Sequence, residues 1–89
     1  MFEWDEDKSE ANLRNRGFDF AYAALVFDGP ILEIDDEREN YGERRIQVIG
    51  RVDDDALFVV YTWRGDVRRI ISARLANRRE RDVYRQTFG

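Results

Sequence analysis

The chain has 89 residues, enough for one domain that buries roughly 60 to 65% of the surface its unfolded form exposes. It contains no cysteine and no histidine, which excludes a disulfide framework and a thiolate or imidazole metal site and leaves only all-oxygen coordination for a metal. The formal charge of −4 hides a division: residues 1–55 carry 7 basic and 16 acidic side chains, a net of −9, whereas residues 56–89 carry 8 and 3, a net of +5.

Phe2 to Trp4 reads as a short edge strand. Asp5, Glu6 and Asp7 are the acids expected at a helix N-terminus, so a helix runs from about Asp5 to Arg16, with Arg14 and Arg16 in its last turn and Gly17 as the left-handed cap. Lys8, Asn12, Asn15 and Arg16 fall at helical spacing on one face, a polar stripe that by itself reads as wet surface. Asp19 is an N-cap for a short buried helix whose Phe20, Ala23, Ala24 and Phe27 recur at helical spacing, and Gly29-Pro30 ends it. Residues 31–35 alternate as a strand, 36–43 form an exposed charged loop, and 45–51 form a second strand. Three aspartates, Asp53 to Asp55, then turn the chain.

The stretch from Leu57 to Arg74 is two runs of β-branched and aromatic residues around Gly65-Asp66, a glycine-first pair suited to a two-residue hairpin turn. A two-residue loop sets Arg64 opposite Val67, then Trp63 with Arg68, Thr62 with Arg69, Tyr61 with Ile70 and Val59 with Ser72. Strict alternation puts Phe58, Val60, Thr62, Arg69, Ile71 and Ala73 on one face. The other face takes Leu57, Val59, Tyr61, Trp63, Arg68, Ile70, Ser72 and Arg74, so Arg69 and Arg74 point to opposite sides. Asn77 and Glu80 are spaced as a capping box opening a last helix to about Gln86, anchored by Val83 and Tyr84. The whole is a single α+β domain over residues 1–89, a small antiparallel sheet with its helices gathered mainly on one face. The acidic opening is unlike a signal peptide and no apolar run approaches the roughly 20 residues that span a bilayer, so a cytoplasmic protein without a membrane partner is expected.

All eight basic residues after position 55 are arginine, the side chain that forks two donors onto a phosphate or carboxylate and stays charged. Its target is anionic: RNA, a DNA backbone, an acidic partner, or the chain's own acidic half.

The opening FEWDEDK with NLRNRGFDF, the strand ERRIQVIGR and the run VRRIISARLANRRERDVY together resemble the BrnT family, toxins of bacterial type II toxin-antitoxin systems with a RelE-like ribonuclease fold. The likeness covers nearly the whole chain and rests on Trp4, Asp5, Lys8, Asn12 and Gly17, on Arg45, Gly50, Tyr61, Arg64 and Arg69, and on Ile71 to Arg74, Ala76, Glu80, Arg81 and Tyr84. Many relatives read lysine-histidine before the glycine where this chain has Asn15 and Arg16. Histidine accepts a proton near neutrality and arginine does not, so a different base, a histidine that was never catalytic, and a weakened toxin all stay open.

The resemblance implies a ribonuclease without metal or cofactor, in which the ribose 2′-hydroxyl attacks the adjacent phosphate and cations stabilise the developing charge. Arg69 and Arg74 are then the phosphate holders, Lys8, Arg16 and Arg45 the supporting cations, and Lys8 and Glu80 the proton-transfer candidates. Arg45, Tyr61, Trp63, Arg64 and Arg68 are expected to bind RNA, with the rings as stacking surfaces. The implied partner is a BrnA-like ribbon-helix-helix antitoxin, anchored on Tyr61, Trp63 and Tyr84, forming a heterotetramer and binding promoter DNA only through the antitoxin. The rival reading is a catalytically weakened homologue acting as a protein-binding module for an antitoxin or co-repressor.

Overall fold

The computed structural model describes residues 1–38 and 40–89; Glu39, inside the expected charged loop, lies outside the described residues. The chain runs β1 (Phe2–Trp4), α1 (Glu6–Arg16), α2 (Phe20–Ala23), a 3₁₀ turn (Ala24–Asp28), β2 (Leu32–Asp36), β3 (Arg45–Val52), β4 (Asp55–Arg64), β5 (Val67–Leu75) and α3 (Arg78–Phe88). The five strands form one sheet in the order β1-β5-β4-β3-β2, so the architecture is α+β. Neighbours pair antiparallel except β1, which lies parallel to β5 with Phe2 beside Arg68, Glu3 beside Arg69 and Trp4 beside Ile70. The connection from β1 to β5 runs through most of the chain, far more than the crossover of about a dozen residues that parallel neighbours need.

The termini of the helices follow from local chemistry. Asp5 accepts from the Lys8 amide and Gly17 closes α1 at φ 86°, returning its own amide to the Leu13 carbonyl. Asp19 caps α2, and Asn77 and Glu80 exchange side-chain and backbone bonds in a capping box. Gly65 has φ 62°, the positive value that a glycine-first hairpin turn needs.

The core has two layers. On one face of the sheet α2 and the 3₁₀ turn bring Phe20, Ala23, Ala24 and Val26 against Ile46, Val48, Leu57, Val59, Tyr61, Ile70 and Ala73. On the other face Tyr84 of α3 packs with Ile49, Phe58 and Val60. The N-terminal helical segments pack on one face, as expected, and the C-terminal helix α3 covers the opposite side, because alternation along β3 and β4 leaves Ile49, Phe58 and Val60 apolar there.

The hairpin keeps the expected register from Arg64↔Val67 through Trp63↔Arg68 and Thr62↔Arg69 to Tyr61↔Ile70, and then shifts. Beyond it Val60 faces Ser72, Val59 faces Ala73 and Phe58 faces Arg74, so Ile71 is an extra residue, a β-bulge in β5. The slip reverses the alternation for the rest of the strand. Ala73 enters the core on the Val59 side, while Ser72 and Arg74 join Arg69 on the face of Phe58, Val60 and Thr62.

Gly50 marks where the 3₁₀ turn rests on β3. A Cβ built there would stand 2.7 Å from the Val26 Cβ and 3.2 Å from the Ile31 Cγ2, closer than packed carbons tolerate. Gly50→Ala is expected to destabilise the fold by about 1 to 3 kcal/mol, read as a lower urea midpoint; an unchanged midpoint would show that this contact yields freely.

Candidate active site

β1 pairs with β5 only as far as Ile70, leaving the later part of β5 with a free edge, and α1 lies along it. The helix docks through polar residues. Ser9 and Asn12 are its buried positions: the Ser9 Oγ accepts from the Phe20 amide at 3.0 Å and the Asn12 Nδ2 donates to the Phe18 carbonyl at 2.9 Å. These two bonds fasten α1 to the start of α2. Arg16 Nη1 donates to the Ala73 carbonyl at 2.8 Å, satisfying an acceptor on the free edge of β5.

Between α1 and that edge is a cavity of about 300 Å³ lined by Lys8, Asn12, Asn15, Arg16, Ile71 and Ser72, closed by Ala11 and Phe20. The polar stripe expected as wet surface is one wall of this cavity, and the bulge is the other. Lys8 has no ion-pair partner among the described residues.

The arginines beside the bulge are held by carboxylates. Arg69 Nη1 donates to Glu3 Oε2 at 2.7 Å, a pair that exists because β1 lies beside β5. Arg74 donates from both Nη atoms to the two Glu80 oxygens at 2.8 and 2.9 Å, and its guanidinium stacks 4.1 Å from the Phe58 ring centroid. The Arg74 hydrogen bonds, opposed by partial burial and helped by the Asn77 amide, hold the Glu80 carboxyl below the usual carboxylate range. Glu80 is ionised at neutral pH and its oxygens are occupied, so it orients Arg74.

The remaining expected site residues separate into two groups. Arg45 and Arg64 lie on the same face as Arg69 and at its end of the hairpin, Arg45 and Arg69 flanking Thr62 on neighbouring strands; they share Glu43 at 3.4 and 3.8 Å, with Arg45 also 3.9 Å over the Tyr41 ring. Arg68 and Trp63 lie on the opposite face, where the Arg68 guanidinium sits 4.4 Å from Phe27 and 4.7 Å from Trp63. Two tyrosines expected as stacking or anchoring rings belong to the fold. Tyr61 is 1% exposed and donates its hydroxyl to Glu33 at 2.8 Å, and Tyr84 is 7% exposed and donates to the Pro30 carbonyl at 2.9 Å. Neither ring has a free face for a base or a partner, whereas Trp63 is 44% exposed.

Reading the residues alone gave Ser72, Asn12 and Asn15 no role in the site. The one signal for the bulge is the Ile70-Ile71 doublet. Among the described residues no three acidic side chains gather as a metal site, and no helix is long and apolar enough to cross a membrane.

A family model described as "Ribonuclease toxin, BrnT, of type II toxin-antitoxin system" matches residues 4–80. The chain belongs to the BrnT family. No curated protein matches it at a significant level. The matched span takes in α1, the hairpin and Glu80, the elements that build the cavity and the BrnT chain's arginine pair.

The pH dependence of stability follows from the Arg74–Glu80 pair. Its contribution is present in full above the ordinary glutamate pKa of about 4.3 and is lost as pH falls through the lower folded value. Glu80→Gln retains a capping side chain and removes the charge, so the variant should be less stable at pH 7 and lose less stability between about pH 5 and pH 3. Denaturation midpoints across that range test this; parallel curves for the two proteins would show that the pair adds nothing.

Proposed function

We propose that this chain is a ribonuclease toxin that cleaves RNA without a metal ion, using the face of β5 around the bulge and the cavity beside α1. The observation that carries the proposal is the register shift at Ile71, which brings Ser72 and Arg74 onto the face of Arg69, with Ser72 also lining the cavity walled by Lys8, Asn15 and Arg16. Cations fixed in advance are what a phosphoryl transfer needs, because charge builds on the equatorial oxygens while the protein supplies no nucleophile.

In this reading the 2′-hydroxyl attacks the neighbouring phosphorus and gives up its proton to solvent. The bond from phosphorus to the 5′-oxygen breaks, and the Lys8 ammonium delivers a proton to that leaving oxygen, producing a 2′,3′-cyclic phosphate. Arg69 and Arg74 hold the phosphate through the N–H groups their carboxylates leave free. Glu3 and Glu80 act as positioning residues, ordering the two guanidiniums before RNA arrives. Arg16, engaged with Ala73, contributes charge at the cavity wall, and Arg45 and Arg64 extend the cationic face along the strand.

The partner in this reading is an antitoxin of the ribbon-helix-helix class whose dimer gathers two toxin chains into a heterotetramer. DNA binding then belongs to the antitoxin, since a chain of net charge −4 does not attract a duplex. One observation favours the rival reading of a non-catalytic binding module: the position where many relatives have histidine is Arg16, and it is tied to the Ala73 carbonyl.

The test is cleavage of single-stranded RNA by the purified chain in excess chelator, with product ends analysed. Cleavage with cyclic phosphate ends is expected, with Arg69→Ala lowering the rate by roughly 10² to 10³, as loss of a preorganised donor does, and Arg78→Ala lowering it far less. Activity that requires a divalent ion would contradict the mechanism, and no cleavage with antitoxin binding intact would favour the binding module.

A further inference from the structure

Arg16 is also a wall of a second and larger hollow, about 520 Å³, where the C-terminus of α1, the start of α2 and the ends of β4 and β5 meet. Its rim carries Leu13 and Leu75, the two most exposed leucines among the described residues at 51% and 55%. Tyr22, Asp19 and Asp55 also line it. Two exposed aliphatic side chains lining one groove make an apolar patch rather than scattered surface leucines, and such patches mark contact surfaces.

The groove is negative. Asp55 accepts from the Tyr22 hydroxyl at 3.3 Å, and Asp53 and Asp54 stand exposed in the adjoining turn. None of Asp19, Asp53, Asp54 and Asp55 has an ion-pair partner among the described residues. Burial, then Asp55 and Asp53, push the Tyr22 hydroxyl above its ordinary pKa, as a field of negative charge does. The one cation in the lining, Arg16, already donates to Ala73. This charge repels RNA, so the groove is not an extension of the candidate active site.

We infer that this groove is where the antitoxin docks, by a cationic segment that inserts an aliphatic side chain between Leu13 and Leu75 and sets a lysine or arginine against Asp55. The inference rests on the toxin-antitoxin reading and departs from an anchor on Tyr61 and Tyr84, whose rings are buried. An occupant of the groove reaches Arg16 and thereby the wall that the groove shares with the RNA cavity.

The probe is the product of the reading frame adjacent to this gene, tested as the proposed antitoxin and titrated onto the full chain by calorimetry. Leu13→Gln and Leu75→Gln are exposed substitutions that leave the core intact, which circular dichroism checks. Each is expected to weaken binding about 10- to 100-fold, the worth of one buried aliphatic side chain. Asp55→Asn, which still accepts from Tyr22, should weaken binding and flatten its salt dependence. RNA cleavage by the free variants and binding by Trp63→Ala should stay at the wild-type level. If both leucine variants bind as wild type while Trp63→Ala loses affinity, the docking site is elsewhere although the toxin-antitoxin reading stands. If the neighbouring protein does not bind the wild-type chain, that reading falls and the inference falls with it. Self-association abolished by Leu75→Gln without antitoxin would show a second copy to be the occupant and overturn the inference.

Discussion

The extra residue at Ile71 is the constraint on which the functional face depends. Without it β5 would alternate regularly, Ser72 and Arg74 would turn into the layer under α2, and Ala73 would face the opposite side. The core could not accept that arrangement, because it would set Ser72 beside Val59 and Arg74 beside Leu57, both fully buried, where an arginine has neither room nor a carboxylate partner. The bulge therefore satisfies two demands at once. It seats Ala73 in the core and aligns Arg69 with Arg74 on the other face, as bulges near functional sites do when they re-aim side chains.

Polar contacts then hold that face in place. α1 has almost no apolar side to bury, and it stays on the sheet through Ser9, Asn12 and Arg16, each bonded to a backbone group of another segment. Glu3 and Glu80 come from opposite ends of the sequence and fix one arginine each. Ion pairs this exposed add little to stability; their larger effect is to limit the rotamers of two long side chains, which lowers the entropy lost when a phosphate binds.

Much of this was legible in the residues. Asp5 and Gly17 marked both ends of α1, Asn77 and Glu80 marked the start of α3, and Gly65-Asp66 fixed the hairpin and its first four pairs. Local chemistry decides such features, so local sequence reports them. What escaped needed distant partners. The parallel pairing of β1, the Glu3–Arg69 pair and the placement of α3 opposite α2 all join segments far apart in the chain. The stripe of Lys8, Asn12, Asn15 and Arg16 was visible, but its use as a cavity wall was not, because the facing wall is the free edge of β5. Tyr61 looked like a ring for stacking only because its burial under Phe27 and beside Arg68 is a tertiary fact.

The central claim is that RNA lies on the bulged face of β5 and against α1, and a map of amide chemical shifts measures this most directly. The chain is titrated with a short RNA whose 2′-hydroxyl is absent at the cleavage position, so that binding is seen without turnover. The account predicts shifts concentrated at Arg69, Ser72 and Arg74 and along Lys8 to Arg16, weakening steeply as salt is raised. Shifts confined to Phe27, Trp63 and Arg68 on the opposite face would contradict it.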